Sequence, residues 1–160
     1  MARAELWLWN LTKPQAWVVR LYRISHALHR HGWRFIPALI CAVGRVLSSA
    51  EIDPAARVGY PFNLSHGMGV VIGGGVVIGD GCIVSQCVTI GSRRDMRMPR
   101  LGDRVGVGAN AVLLGPITIG DDARIGAGAV VLCDVPAGWT AVGNPARLLP
   151  PKEERITPSS

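Results

Sequence analysis

The sequence is short of charge, of aromatic side chains and of any cysteine spacing that would hold a metal. Charged residues make up 18% of its 160 positions against 49% hydrophobic, the reverse of the balance that keeps a chain disordered. Aromatics contribute 6%, while glycine occurs 20 times among many valines and isoleucines. That mixture argues against a helical bundle and for tight corners joined by short β-branched segments. The four cysteines, at 41, 82, 87 and 133, form no CxxC pair and no Cys/His metal spacing. A structural zinc site or a disulfide scaffold is therefore not expected, and a reducing cytoplasm is. The longest apolar run, Phe35 to Gly44, contains Pro37 and is too short to span a bilayer. With no small-residue cleavage site near the start, neither a transmembrane helix nor a signal peptide is expected. There is also no Walker-type loop, and Gly73-Gly74-Gly75 reads as a corner rather than a nucleotide cradle.

What charge there is sits at one end. Residues 1–50 hold seven basic residues against Glu5 alone, which accounts for the whole net +6, while residues 51–160 are balanced. Four of the five tryptophans, at 7, 9, 17 and 33, share that segment. Helices are expected over about 4–10, 14–31 and 35–48, with Pro14 at a start, Pro37 in a first turn, and Trp17, Leu21, Ile24 and Leu28 on one apolar face. The chain divides on this reading into a helical arm, 1–48, a second unit, 49–149, and a tail, 150–160.

From Ile52 onward the chain has a period of six. Large apolar residues stand at 52, 58 and 64, then after two extra residues at 72, 78, 84 and 90, and after a longer insertion at 101, 107, 113, 119, 125 and 131. Glycine often follows the apolar residue, as at Gly59, Gly79 and Gly102, and four places after it stands a small or β-branched one, such as Ala56, Val76, Cys82, Ala111 or Ala129. One large inward residue, a bend and a second small inward residue, repeated thirteen times, predict a parallel β-helix of flat faces. An irregularity is expected at residues 70–71.

These hexads resemble the hexapeptide-repeat acyltransferases over about residues 48–149. That resemblance, not the spacing, implies a left-handed parallel β-helix, since parallel crossovers are normally right-handed. Within the superfamily the chain is most similar to serine acetyltransferases and their shorter relatives from capsule and exopolysaccharide clusters. The matching segments are Glu51 to Gly59, Ser65-His66-Gly67-Met68-Gly69-Val70-Val71-Ile72, Val88 to Gly91, Val107 to Asn110, and Val142-Gly143-Asn144-Pro145-Ala146-Arg147.

Acetyl transfer from acetyl-CoA to an alcohol needs a base for the hydroxyl proton and donors for the developing oxyanion, with no metal and no covalent enzyme intermediate. His66, the one histidine outside the arm, is the expected base. Glu51, fifteen residues earlier, occupies the place of the family's aspartate that orients the imidazole. An eighteen-residue coil would set residue 69 above 51, so side-chain reach has to close the remaining distance. By resemblance the pantetheine arm of acetyl-CoA runs near Gly91, Ala109 and Ala127, with Arg124 and Arg147 toward its phosphates. The insertion between Ile90 and Leu101 carries Arg93, Arg94, Arg97 and Arg100 against Asp95.

In serine acetyltransferases that loop carries Arg-His before the proline, where this chain has Arg97-Met98, and an aspartate precedes the catalytic histidine, where this chain has Ser65. Loss of polar contacts to a free amino acid leaves charges unpaired at a few kcal/mol each. From Ser65, Arg97 and Met98 the expected acceptor is a sugar hydroxyl in polysaccharide biosynthesis. L-Serine is the alternative, with an amino-sugar amine and a non-catalytic binding solenoid also open. A homotrimer with sites between subunits is expected because closed symmetry covers the broad faces. No nucleic-acid partner is expected. For the arm, attachment to an anionic membrane face and packing against the β-helix stand as alternatives.

Overall fold

A computed structural model of the chain describes residues 14–151. Within them two helices, α1 (Pro14–Arg30) and α2 (Phe35–Ser48), precede a three-sided parallel solenoid. The helix expected over 4–10 lies outside the described residues.

The first face of the solenoid stacks β1 (Glu51–Ile52), β4 (Val71–Ile72), β7 (Thr89–Gly91), β10 (Val112–Leu114) and β13 (Val130–Val131). A second stacks β2 (Arg57–Val58), β5 (Val77–Ile78), β8 (Arg100–Leu101) and β11 (Thr118–Ile119). The third holds β3 (Phe62–Ser65), β6 (Cys82–Ser85), β9 (Gly106–Val107), β12 (Arg124–Ile125), β14 (Thr140–Val142) and β15 (Arg147–Leu149). Every pairing is parallel except β14 with β15, an antiparallel hairpin that ends the stack.

All thirteen hexad residues are buried, and so are the small residues between them. Two-residue strands have little stability alone, so the strands hold because each inward side chain packs on its counterpart one coil away: Ile72 pairs with Ile90, and Leu113 with Ile90 and Val131.

The expected irregularity at 70–71 is misplaced by a few residues. Val70 is fully buried and regular, two places before Ile72; the extra residues lie in the corner at 66–69. The first coil is thereby twenty residues long and pairs Val71, not residue 69, with Glu51.

The arm packs on the solenoid, which accounts for its inner face. Val18, Tyr22 and Ser25 are buried, and Ser25 Oγ donates to Pro37 O at 3.0 Å, tying α1 to α2. The apolar stripe read from Trp17, Leu21, Ile24 and Leu28 is not the buried face: Trp17 and Ile24 are each about half exposed. The neighbouring stripe wins because Tyr22, Arg23 and His26 can bond carbonyls of the first coil while burying their stems. Among the described residues no helix is long and apolar enough to cross a membrane.

Candidate active site

After Ser65 the chain turns through His66, Gly67, Met68 and Gly69 before entering β4. At regular corners a residue with positive φ stands three places after the inward apolar one, as at Gly75, Gly81, Cys87, Arg104 and Asn110. His66 breaks that register. It stands two places after Leu64 with φ +64°, followed by Gly67 at +52° and Gly69 at +68°. A β-carbon in this region costs on the order of 1–2 kcal/mol, so the surrounding bonds must hold the corner. They do: Met68 N–H donates to His66 O at 2.7 Å, Gly69 N–H to Ser49 O at 2.8 Å, and Cys87 N–H to Met68 O at 2.8 Å. The His66 side chain is exposed and has no hydrogen bond or ion pair with any described residue.

The same phase of the hexad places Gln86, Ala109 and Ala127 on this edge, each two residues after an inward one (Val84, Val107, Ile125). Backbone bonds join the column, with Asn110 N–H to Gln86 O at 3.0 Å and Gly128 N–H to Ala109 O at 2.8 Å. Three coil spacings of roughly 4.8 Å give an edge about 14 Å long, with His66 at one end and methyl side chains toward the other. Such an edge suits an extended amide-bearing chain: small residues allow close approach, and the corner amides and carbonyls lie along it. Gln86 escaped the sequence reading, although its place two residues after Val84 is the signal that would have found it.

Arg124 on β12 and Arg147 on β15 belong to the third face, which leads into this edge, and both side chains are exposed with no hydrogen bond or ion pair to any described residue. Gly91 does not join them. It ends β7 on the first face, pairs with Leu114 and accepts the Gly115 N–H at 3.0 Å. Its hexad phase, one place after Ile90, sends it to the next edge of the prism.

Glu51 and His66 are not joined by a hydrogen bond. The Glu51 carboxylate is half exposed and takes Arg45 instead, Nη1 to Oε2 at 3.1 Å. Arg45 comes from the last turn of α2, whose approach to β1 no spacing in the sequence reveals.

The insertion leaves at the corner between the first and second faces. Arg97 donates through Nε to Asp95 Oδ2 at 2.7 Å, and that bond holds the Asp95 carboxyl below its usual range. Met98 turns back and packs half-buried on the core; a β-carbon on Gly75 would lie 3.3 Å from Met98 Cγ. A groove of about 440 Å³ runs here between Gly74, Gly75, Arg97, Met98, Arg100 and Thr118. Ser65, half-buried at the end of β3 opposite Ser85, lies at the His66 edge, so Ser65 and the Arg97-Met98 pair occupy different edges of one chain.

The family described as bacterial transferase hexapeptide (six repeats) matches residues 98–133. A serine acetyltransferase of Helicobacter pylori is 42% identical over 151 residues, covering 92% of this chain and 88% of that protein. One from Bacillus subtilis is 40% identical over 131 residues, covering 80% of this chain and 60% of its own length. Among solved structures, the soybean serine acetyltransferase apoenzyme superposes with a TM-score of 0.84 at 39% identity, over 87% of this chain and 59% of that one. A serine acetyltransferase in complex with CoA gives 0.82 at 34%, over 85% of this chain and 57% of that one. The chain thus spans most of the Helicobacter protein and less than two thirds of the others.

These relatives overturn the expected sugar acceptor and the polysaccharide assignment, because they are serine acetyltransferases across nearly the whole chain. The physical reason lies in the loop. Met98 is a packing residue turned onto the core, so its identity reports how the loop is seated and carries little about what the loop contacts. Two substitutions at the rim do not outweigh a shared solenoid, and identity of this order along almost the full length does not arise between unrelated proteins: the chain belongs to the serine acetyltransferase family of hexapeptide-repeat acyltransferases.

Proposed function

We propose that this protein is an acetyl-CoA-dependent serine O-acetyltransferase in which His66 is the general base. The observation that carries the reading is the out-of-register corner that presents an unpartnered imidazole at the end of the Ala109–Ala127 edge, in a chain of this family. Acetyl-CoA lies with its pantetheine along Ala109 and Ala127 and its phosphates toward Arg124 and Arg147. His66 takes the serine hydroxyl proton as the oxygen attacks the thioester carbonyl. Collapse of the tetrahedral intermediate breaks the C–S bond, and the departing thiolate recovers the proton. Glu51 orients the imidazole, for which its carboxylate has to exchange Arg45 for His66. Thiol release from acetyl-CoA tests the acceptor: we expect it to rise at least tenfold when L-serine is supplied at millimolar concentration. Release that L-serine does not accelerate overturns the assignment.

The working unit is a homotrimer with its sites between subunits. The support is that Ser65 and His66 occupy one edge of the prism and Arg97 with the loop groove another, so one chain cannot close them around an acceptor, while the edges of neighbouring copies can. Light scattering at micromolar concentration should give three times the chain mass; a monomer counts against it.

Peripheral placement on an anionic membrane belongs to this reading as well. The arm's outer surface exposes Trp17, Phe35, Leu39, Val46 and Leu47, and residues 14–48 contain five arginines and no carboxylate, the composition of a chain that lies among headgroups.

A further inference from the structure

A second cleft lies under the arm, on a different corner from His66. α1 is fastened to the first coil through successive carbonyls: His26 Nδ1 lies 2.8 Å from Pro54 O, Tyr22 Oη donates to Ala56 O at 2.8 Å, and Arg23 donates to Val58 O and Gly59 O. A carbonyl only accepts, so the His26 proton sits on Nδ1 in that bond. These contacts fix one wall against the other. Beside them, His26, His29 and Arg30 of α1 face Ala55 and Arg57 of the coil around a cleft of about 480 Å³. Arg30 and Arg57 are exposed, His29 is half-buried, and none of the three side chains has a hydrogen bond or ion pair with any described residue. Among the described residues no carboxylate lines the cleft.

Two guanidiniums held on facing walls repel one another and leave forked donors unsatisfied, with the His29 imidazole beside them, an arrangement that a multiply charged oxyanion relieves. We propose that this cleft binds a phosphate group, carried by a soluble phosphate compound or by a lipid headgroup, with Arg30 and Arg57 as its principal donors. The inference stands apart from acetyl transfer, since none of these residues is assigned to that reaction.

Two binding measurements on the full chain separate the sources. In calorimetric titration with inorganic phosphate we expect saturable binding, weakened about tenfold (about 1.4 kcal/mol) by Arg57→Gln and likewise by Arg30→Gln. Arg57→Lys, which keeps the charge without the fork, should fall between. Arg104→Gln, which removes the same charge outside the cleft, should bind as the parent does. The second measurement is flotation with phosphatidylglycerol vesicles: loss of flotation in Arg57→Gln and Arg30→Gln but not in Arg104→Gln, without binding of free phosphate, assigns the group to a lipid. An unchanged melting profile of each variant shows that the fold is intact. Absence of binding in both measurements, or a loss in Arg104→Gln equal to that in the cleft variants, overturns the proposal.

Discussion

Replacing His66 by alanine should lower the turnover of acetyl transfer by roughly 10²–10⁴-fold, about 3 to 5.5 kcal/mol of transition-state stabilisation, with the affinity for acetyl-CoA little changed. The split follows from the geometry. The imidazole is exposed and carries no bond that holds the fold, and the corner conformation around it comes from backbone bonds of Met68, Gly69 and Cys87. Alanine brings the same β-carbon to φ +64° and is only somewhat less at home there than histidine, so the variant should fold and melt close to the parent. The Ala109–Ala127 edge remains, and with it the cofactor's seat. Glu51→Gln should cost less, because its effect reaches the serine hydroxyl only through the imidazole. Steady-state kinetics with varied acetyl-CoA decides the matter: near-normal turnover in His66→Ala removes the mechanism, and a raised KM with unchanged turnover moves His66 from base to binding group.

The solenoid was legible because its information is periodic. Thirteen inward residues recur every six places, and each finds a buried seat; any one of them alone would say nothing. The slip of the period beside His66 was legible only in part, since the spacing puts it at 70–71 and the corner lies at 66–69. What escaped the reading depends on contacts between distant segments. The Glu51 carboxylate meets Arg45 because α2 ends beside β1, and that approach angle has no counterpart in the spacing of residues. The buried face of α1 was misjudged because hydropathy selects the Trp17 stripe, whereas the solenoid offers carbonyls that Tyr22, Arg23 and His26 can use. The acceptor was misjudged from Ser65 and Met98 because a side chain's identity was taken as a statement about the ligand, when Met98 is seated on the core beside Gly75.

The repeated glycine after the inward residue has a reason that only the stacked coils show, and it leads to the largest stability effect expected in the chain. At the corner between the second and third faces, Asp80, Asp103 and Asp121 form a ladder. Each Oδ1 accepts a backbone N–H from the coil before it: Tyr60 to Asp80, Asp80 to Asp103 and Asp103 to Asp121, all at 2.8 Å. The glycine preceding each of those amides faces the same carboxylate. A β-carbon on Gly79 would stand 2.3 Å from Asp103 Oδ1 and 2.5 Å from Gly102 O, inside any tolerable contact. Gly79→Ala must therefore push the coils apart or break the rung. Overpacking of about 1–3 kcal/mol plus a lost hydrogen bond of about 1 kcal/mol gives roughly 2–4 kcal/mol, a drop of about 5–15 °C in the melting midpoint for a chain of this size. Gly106 occupies a strand of the same solenoid, and a β-carbon there meets nothing within 4 Å; Gly106→Ala should melt within a few degrees of the parent. Removing the carboxylate as well, in Gly79→Ala with Asp103→Ala, should recover only part of the loss, because Gly102 O still blocks the methyl group. Calorimetry of the three variants tests the ladder directly: equal midpoints for Gly79→Ala and Gly106→Ala would mean that the glycine serves only the bend of the chain and that the carboxylate rungs place no demand on it.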